Sequence, residues 1–363
     1  MYFNKLEINN FRGINSFIAE DLKDINLFVG KNNSSKTTVL EALFLLLGAS
    51  NPELVIRINN FRDLLLTDQD DLRFIFYNLD YLNPVKIVGE TFKKNSFREL
   101  KIKPSSIVID DKKNKKTIES NQSQLSYDTS YSEKTINELI LSLSIKEFQK
   151  QKKEFSSKIL IDRGRYTLTE PKNYIEKRRG VYVTPKIHLS ANLEKKLENL
   201  IINKKHHEII EVLNTVDKNI TNITFGTNRM IYFDIGISRL VPLNLVGDGI
   251  RRILAIILAI YDAQNGIVLI DEIENGLHFS ALKPLWSAIF KATQKFKVQL
   301  FATTHNIETL KYLKTAIEEE TNEKFADNVR SYTLRKIEND IVKSYKYDYE
   351  KFEFSIEQGI EIR

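Results

Sequence analysis

With 363 residues, 42% of them hydrophobic, the chain is long enough to bury a core in two ordinary domains or in one domain with a large insertion. It has no cysteine, and its 5 histidines show no paired metal-ligand spacing, which excludes disulfides and cysteine-ligated metal sites. The formal net charge of +6 permits contact with nucleic acid or an acidic partner, but a lysine-rich stretch at 146–158 is more typical of a solvated helix face.

The first fifty residues predict a phosphate-binding unit. Tyr2 to Asn9 and Ile25 to Val29 have the composition of strands, a loop begins at Gly30, and Thr37 to Leu47 is apolar nearly all round, as in a buried helix. The N-terminus lacks the basic-then-apolar pattern of a signal peptide, and no run of about 18 uncharged apolar residues occurs. We therefore expect a cytoplasmic protein without a membrane segment.

The pattern is less regular in residues 51–222, which predict an insertion with strands and helical segments. The polar stretch from Asp110 to Ser132 is predicted to be a loop or hairpin. Strands are predicted at Glu99 to Ile102, Ile107 to Ile109 and Lys158 to Ile161, and helical segments at Thr135 to Phe155 and Ala191 to Asn214. Because the insertion separates motifs that must meet in space, we expect it to loop outward from the core.

Residues 223–363 again alternate strands and helices. Strands are predicted at Arg229 to Asp234, Ile267 to Ile270 and Gln299 to Thr303, and helices at Gly249 to Tyr261 and Ser280 to Thr293. This alternation predicts an α/β fold with a mostly parallel sheet flanked by helices. Its core would be split into residues 1–50 and 223–363.

The loop after the second strand follows the G-x-x-x-x-G-K-[ST] spacing of a P-loop, or Walker A motif, at every position but one. Such a loop directs backbone N–H groups at phosphates, its lysine neutralises them, and its hydroxyl ligates Mg²⁺. Ser35 stands where the loop normally has glycine. The residues predicted to bind ATP are Gly30, Lys31, Asn32, Asn33, Ser34, Ser35, Lys36, Thr37 and Thr38, with Lys36 also catalytic and Thr37 a metal ligand.

Two further strands end in polar residues that suit hydrolysis. Asp271 and Glu272 follow a strand predicted to be buried on both faces, where Asp271 suits Mg²⁺ coordination and Glu272 suits activation of the attacking water. His305 follows the next strand and could hydrogen-bond the γ-phosphate and that water. Taken alone, the carboxylates could equally be an acidic turn and the histidine a structural residue.

The order of these motifs resembles the ABC-type ATPase heads of the SMC and RecF proteins and of the OLD (overcoming lysogenization defect) family. LVGDGIRR at 245–252, DEIENGLH at 271–278 and ATTHN at 302–306 together resemble the stand-alone OLD-like ATPases of prokaryotic phage-defence operons. The resemblance covers about residues 1–50 and 225–363. It implies a homodimer in which the glycine-rich signature of one protomer caps the nucleotide bound to the other.

On this chain the signature role would pass to Gly247, Asp248 and Gly249, with Gly247 in place of the usual serine. Arg12 matches an N-F-R element of SMC-like heads that approaches the nucleotide, although it could be a solvated turn arginine. His278 could sense the opposite site or merely pack. No spacing singles out a Q-loop, although Gln69 lies in a plausible stretch.

Three functions remain open at this stage. The first is a dimeric ATP-driven sensor or scaffold in antiviral defence that gates a separate effector, either a TOPRIM-like or HNH nuclease or a toxin. The second is a DNA-repair or chromosome-maintenance ATPase, and the third, an ABC transporter subunit, fits least because the signature lacks its serine. About sixty residues follow the strand that ends at His305, so we expect no TOPRIM domain and no nuclease activity in this chain.

Overall fold

The computed structural model describes residues 3–64, 69–105, 108–109, 134–135, 138–162, 164–176, 179–185, 191–226, 230–319 and 323–358. Its strands are β1 (Phe3–Phe11), β2 (Ile14–Glu20), β3 (Ile25–Val29), β4 (Val85–Thr91), β5 (Phe97–Pro104), β6 (Val108–Ile109), β7 (Lys134–Thr135), β8 (Glu138–Lys146), β9 (Lys153–Asp162), β10 (Arg165–Thr169), β11 (Gly180–Val183), β12 (Asn222–Phe225), β13 (Ile231–Asp234), β14 (Val241–Pro242), β15 (Ile267–Ile270), β16 (Gln299–Thr304), β17 (Val329–Lys336) and β18 (Ile341–Tyr347). Its α-helices are α1 (Lys36–Leu47), α2 (Glu53–Asn60), α3 (Ala191–Ile202), α4 (His207–Leu213), α5 (Leu243–Val246), α6 (Asp248–Asp262), α7 (Leu282–Phe296), α8 (Ile307–Glu318) and α9 (Tyr349–Glu357).

One sheet of thirteen strands runs through the molecule, in the order β10-β9-β8-β5-β4-β1-β2-β18-β17-β3-β16-β15-β11. The strands β11, β15, β16, β3 and β17 pair in parallel, whereas β1, β2, β4, β5, β8, β9 and β10 pair with one another in antiparallel fashion. The predicted α/β fold is therefore confirmed, with the parallel pairing concentrated where the phosphate loop lies.

Helices cover both faces of the parallel part of the sheet. Strands β3, β15 and β16 are buried along their whole length, as near-continuous apolar runs require. Successive residues point to opposite faces, so Leu27 packs into the cluster that contains α6, α7 and α8, and Phe28 packs into the cluster that contains α1. The phosphate loop is thus held between two packed layers.

The segment 51–222 does not simply loop outward. Its strands β4, β5, β8, β9 and β10 extend the main sheet beyond β1, and β11 pairs with β15 at the opposite edge. The expectation of an outward excursion is wrong for these strands, because β1 and β15 offered unpaired edges that the insertion covers. The domain boundaries at 50/51 and 222/223 remain a prediction.

The helical segment predicted at Thr135 to Phe155 is also wrong. The structure has strand β8, a turn, and the first residues of β9 there, so the lysine-rich stretch 146–158 is not a helix face. The reason is an alternation with period two, since Leu139, Leu141 and Leu143 are buried in the sheet. The polar stretch from Asp110 to Ser132 lies outside the described residues.

The other predicted elements are confirmed with shifted ends, and Tyr2 and Ile107 lie outside the described residues. The segment from Ala191 to Asn214 forms two helices, α3 and α4, separated by a turn. The strand predicted from Arg229 begins at Ile231, and Arg229 itself lies outside the described residues. The helix predicted at Ser280 begins as a single 3₁₀ turn at Phe279–Ala281 and becomes α-helical at Leu282.

Gln299 links the start of β16 to the N-terminal strand. Its side chain is fully buried; Oε1 accepts from the N–H of Phe3 at 2.9 Å, and Nε2 donates to the carbonyls of Phe3 at 2.7 Å and Lys23 at 2.8 Å. Because Phe3 belongs to β1 and Lys23 precedes β3, one amide holds together strands from both ends of the chain.

Replacing Gln299 with leucine should lower the free energy of unfolding by about 2 to 4 kcal/mol, because buried backbone groups lose their partners. Urea denaturation followed by circular dichroism measures this change. The control is Gln294→Leu, which alters an exposed glutamine of α7. Equal stability of the two variants would contradict the structural role assigned to Gln299.

Candidate active site

The phosphate loop connects β3 to α1 with a tightly folded backbone. A Cβ on Gly30 would lie 2.8 Å from the carbonyl oxygen of Leu334 and 2.5 Å from Ser34 Oγ, so only glycine fits there. Asn33 (φ 65°) and Ser35 (φ 69°) adopt left-handed conformations, and the N–H of Ser34 donates to the carbonyl oxygen of Lys31 at 3.2 Å; backbone turns of this kind can form anion-binding concavities. Ser34 Oγ is buried and has no hydrogen-bond partner among the described residues. A concave loop with an unpaired hydroxyl is typical of an anion site.

The ammonium group of Lys36 lies inside this loop. It donates to the carbonyl oxygens of Gly30 at 2.7 Å and Lys31 at 2.9 Å. Burial lowers its pKa below the usual range of lysine, while the nearby carboxylates of Asp271 and Glu272 oppose that effect. A bound polyphosphate would supply negative charge to this ammonium group, which donates to two carbonyl oxygens within the described part of the chain.

Thr37 and Asp271 meet beside the loop. Thr37 Oγ1 lies 3.1 Å and 3.0 Å from the two Asp271 carboxylate oxygens, and Thr303 Oγ1 donates to Asp271 Oδ1 at 2.6 Å. Asp271 is 4% exposed and follows the last residue of β15. A hydroxyl and a carboxylate are the hard oxygen donors that Mg²⁺ prefers. This pair can therefore hold a magnesium ion.

Glu272 is held in an unusual backbone conformation at the end of the same strand. Its φ of 47° is left-handed, and its N–H donates to Thr303 Oγ1 at 2.8 Å. The side chain stays half-exposed and accepts from Asn275 Nδ2 at 3.4 Å. Residues held in such conformations cost about 1 to 3 kcal/mol and are concentrated at functional sites. Glu272 is thus positioned as an accessible carboxylate.

His305 lies next to two carboxylates. Its Nδ1 is 3.9 Å from Glu272 Oε1 and 3.5 Å from Glu274 Oε1, and its backbone N–H donates to Glu274 at 3.3 Å. Half of the imidazole is exposed, whereas Glu274 is buried. The structure therefore brings Lys36, Thr37, Asp271, Glu272 and His305 close together.

A buried charge cluster lies behind the phosphate loop, and sequence reasoning missed most of it. Glu41 is fully buried and pairs with Arg62 Nε at 2.7 Å and with Arg12 Nε at 3.4 Å. Arg62 Nη2 also donates to Thr38 Oγ1 at 3.1 Å, and Arg12 Nη2 donates to Asn59 Oδ1 at 2.8 Å. Burial lowers the pKa of the Arg12 guanidinium to about 10. Arg12 is therefore not a solvated turn arginine.

No signal in the sequence singles out Glu41 or Arg62. Glu41 lies in an apolar helix, where a single charge usually faces solvent, and Arg62 lies in the irregular segment after α2. The buried carboxylate of Glu41 is paired with two arginines, and only the tertiary fold shows which residues these are. Gln69 begins a 3₁₀ turn, and its side chain lies outside the described part of the chain.

The predicted signature residues form a separate surface element. Gly247 (φ 106°, ψ 149°) precedes α6, with open space where a Cβ would be, and the exposed Asp248 pairs with Arg251 of its own helix at 2.9 Å. Gly249 lies beside Leu277 and Ala281, which flank the turn of His278. His278 accepts from the N–H of Ser280 at 3.4 Å and packs on the exposed ring of Phe279. Gly249 and His278 therefore belong to neighbouring parts of one surface.

A phosphate-type loop on a parallel sheet, joined to a buried aspartate and an accessible glutamate, is an arrangement suited to the phosphates of a nucleotide. The chain belongs to the family described as "AAA domain, putative AbiEii toxin, Type IV TA system", whose model matches residues 25–311. It is an ATPase of the AAA kind. Among the described residues, no helix combines the length and apolar character needed to cross a membrane.

Known proteins resemble the chain over different lengths. An "ATP/GTP phosphatase" of Helicobacter pylori is 28% identical over 383 residues, covering 98% of each chain. "DNA replication and repair protein RecF" of Francisella tularensis is 33% identical over 97 residues, which are 26% of each chain. An SMC head crystallised with the C-terminal winged-helix domain of ScpA is 11% identical, with a TM-score of 0.48 over 97% of this chain and 99% of the other.

The left-handed backbone of Ser35 leads to a direct test. Replacing Ser35 with glycine should raise the free energy of unfolding by about 0.5 to 1 kcal/mol, because glycine adopts this conformation without Cβ strain. ATP affinity should stay equal or increase. Thermal unfolding and a fluorescent-ATP titration measure the two quantities.

The matched control is Ser238→Gly, which makes the same change at an exposed serine without relieving a left-handed conformation. It should not stabilise the protein. A weaker ATP affinity for Ser35→Gly would show that the Ser35 hydroxyl contacts the nucleotide.

Proposed function

We propose that the protein binds ATP with Mg²⁺ and hydrolyses it slowly, as a conformational switch. The observation that carries this proposal is the hydrogen-bond chain from Thr37 through Asp271 to Thr303 and Glu272, which joins the phosphate loop to the carboxylate strand. The unpaired Ser34 hydroxyl and the buried Lys36 ammonium support a polyphosphate ligand. Thr37 and Asp271 would hold the metal, which supplies Lewis-acid stabilisation of phosphate charge when bound.

The residues of this chain would then divide the remaining work. Lys36 exchanges its carbonyl partners for phosphate oxygens, and Glu272 orients and deprotonates the attacking water. His305 adds a hydrogen bond on the side of Glu272, because its ring lies near that carboxylate. The Asp271 carboxylate already has hydrogen bonds to two threonine hydroxyl groups, so Glu272 is the more accessible base.

The functional unit in this proposal is a homodimer that closes over two nucleotides. Gly247 to Gly249 stand at the free N-terminus of α6, whose N–H groups suit a phosphate. Apolar side chains are exposed next to this element, with Leu245 at 76% and Phe279 at 56%. A second protomer would cover them and bring its own signature to the nucleotide.

The cellular role in this proposal is to gate a separate effector in antiviral defence. The family description, which names a toxin and a toxin–antitoxin system, supports an effector that acts when the ATPase changes state. The local similarity to a RecF protein supports the second candidate, a DNA-repair ATPase. Stimulation of ATP hydrolysis by DNA in the purified protein would favour the repair role over the defence role.

The hydrolysis mechanism is tested by two substitutions at the site. Lys36→Ala should lower ATP affinity by at least about a hundredfold, since the phosphate charge loses its cation. Glu272→Gln should keep ATP affinity within about threefold and lower the hydrolysis rate by about a hundredfold or more. Phosphate release and fluorescent-ATP binding measure the two effects.

Glu350→Gln, an exposed acid of α9, is the control and should behave as wild type. A Glu272→Gln variant that hydrolyses ATP at the wild-type rate would show that another group is the base.

Dimer closure is tested in the Glu272→Gln background, where ATP should persist. With ATP and Mg²⁺, light scattering should give about twice the 42.2 kDa of the chain. Adding Gly247→Ala should prevent this, because a Cβ is strained at φ 106° and the signature turn must change.

Gly236→Ala is the matched control, since Gly236 also has a left-handed φ, of 79°, and open space around it. It should still dimerise. A monomeric mass for Glu272→Gln with and without nucleotide would exclude the shared site.

A further inference from the structure

A pocket of about 640 Å³ is lined in part by Arg98, which donates to the carbonyl oxygens at the C-terminal end of α1, the helix whose first residue is Lys36. Its walls come from β5, from the turn between β8 and β9, and from residues 172–176. The twelve residues of α1 span about 18 Å, which separates this pocket from the phosphate loop. It is therefore a different site from the one described above.

The pocket combines an apolar floor with an apolar rim. The rings of Phe155 and Tyr174 pack with their centroids 4.4 Å apart, and Ile145 lies beside them in the lining. Ile175, at the rim, is 83% exposed, and Phe148, in the adjoining turn, is 47% exposed. Exposed apolar side chains around a concave site are typical of a surface that a partner covers.

The side chains that line the pocket carry an excess of positive charge. Its two acids are already paired, Glu147 with Lys150 at 2.5 Å and Glu176 with Arg98. Lys153 and Lys172 also line the pocket and are exposed, and neither has a carboxylate within 4 Å among the residues that the structure describes. A ligand with negative charge would complement these two lysines.

We propose that this pocket binds an acidic peptide segment of a partner protein, with an aromatic or aliphatic side chain between its carboxylates. The carboxylates would contact Lys153 and Lys172, and the apolar side chain would enter the floor formed by Phe155 and Tyr174. A nucleic-acid backbone fits less well, because it carries a continuous row of negative charges, whereas the pocket places two lysines beside an apolar floor.

The pocket is connected to α1 through Arg98. This side chain is 2% exposed. It donates to the carbonyl oxygens of Leu46 at 2.5 Å and Leu47 at 3.1 Å, the last two residues of α1. Its other contacts are Glu176 and the hydroxyl of Tyr174, both of which line the pocket. A ligand that displaces Tyr174 or Glu176 would alter their contacts with Arg98 and so act on the end of α1. Coupling to ATP rests on the proposed ATPase function, whereas peptide binding does not.

Fluorescence anisotropy with the full chain tests the binding step, using the labelled peptide Glu-Asp-Phe-Glu-Asp-Leu as probe. We expect saturable binding that the double variant Lys153→Glu/Lys172→Glu weakens by about tenfold or more. Glu176→Gln should strengthen binding by a few fold, because it removes a competing charge while keeping the shape. Lys36→Ala should bind the peptide normally, so a failed ATPase hypothesis would leave this result unchanged.

The matched control is Lys195→Glu/Lys218→Glu, which makes the same change of net charge at exposed lysines outside the pocket. It should bind the peptide as wild type does. Three results would overturn the proposal: no binding to the wild type at millimolar peptide, an equal loss in both double variants, or tighter binding of a single-stranded oligonucleotide that depends on the same two lysines. Unchanged circular dichroism and thermal unfolding would show that each variant is folded.

Discussion

The buried carboxylate of Asp271 is the constraint on which the rest of the site depends. A carboxylate that is 4% exposed must be compensated by hydrogen bonds, and Thr37 and Thr303 provide them. Thr37 lies in the first turn of α1, and Thr303 lies in β16, which pairs between β3 and β15. The aspartate is therefore satisfied only when strands from both ends of the chain have joined, so neither half can form the site alone.

The sequence predicts the parts of the site that depend on local spacing. The loop from Gly30 to Thr37, the acids at 271 and 272 and His305 all follow apolar strands, and parallel strands place their carboxyl ends at one edge. The cluster around Glu41 could not be predicted in this way, because Arg12 and Arg62 approach it from segments with no regular pattern. Strand β8 was missed because a short apolar alternation also suits a helix, and pairing with β5 and β9 decides between them.

Two side chains of the site are held in backbone conformations that favour glycine. Ser35 and Glu272 both have positive φ, and Thr303 fixes the second through the N–H of Glu272. The same threonine hydroxyl donates to Asp271, so one residue contacts the Asp271 carboxylate and the backbone of Glu272. Thr303 therefore links the strained backbone of Glu272 to the residue proposed to hold the metal.

The insertion restrains the phosphate-loop helix from both edges of the sheet. Gly89 of β4 approaches Leu46 so closely that a Cβ would lie 2.9 Å from its Cδ2 atom, and Gly180 of β11 approaches Leu47 in the same way. Arg98 of β5 binds the carbonyls of these two leucines. Because α1 is buried along nearly its whole length, its end cannot shift without moving these strands. A displacement of β4, β5 or β11 would therefore move α1 as a rigid unit. The displacement would then reach the phosphate loop at the other end of the helix.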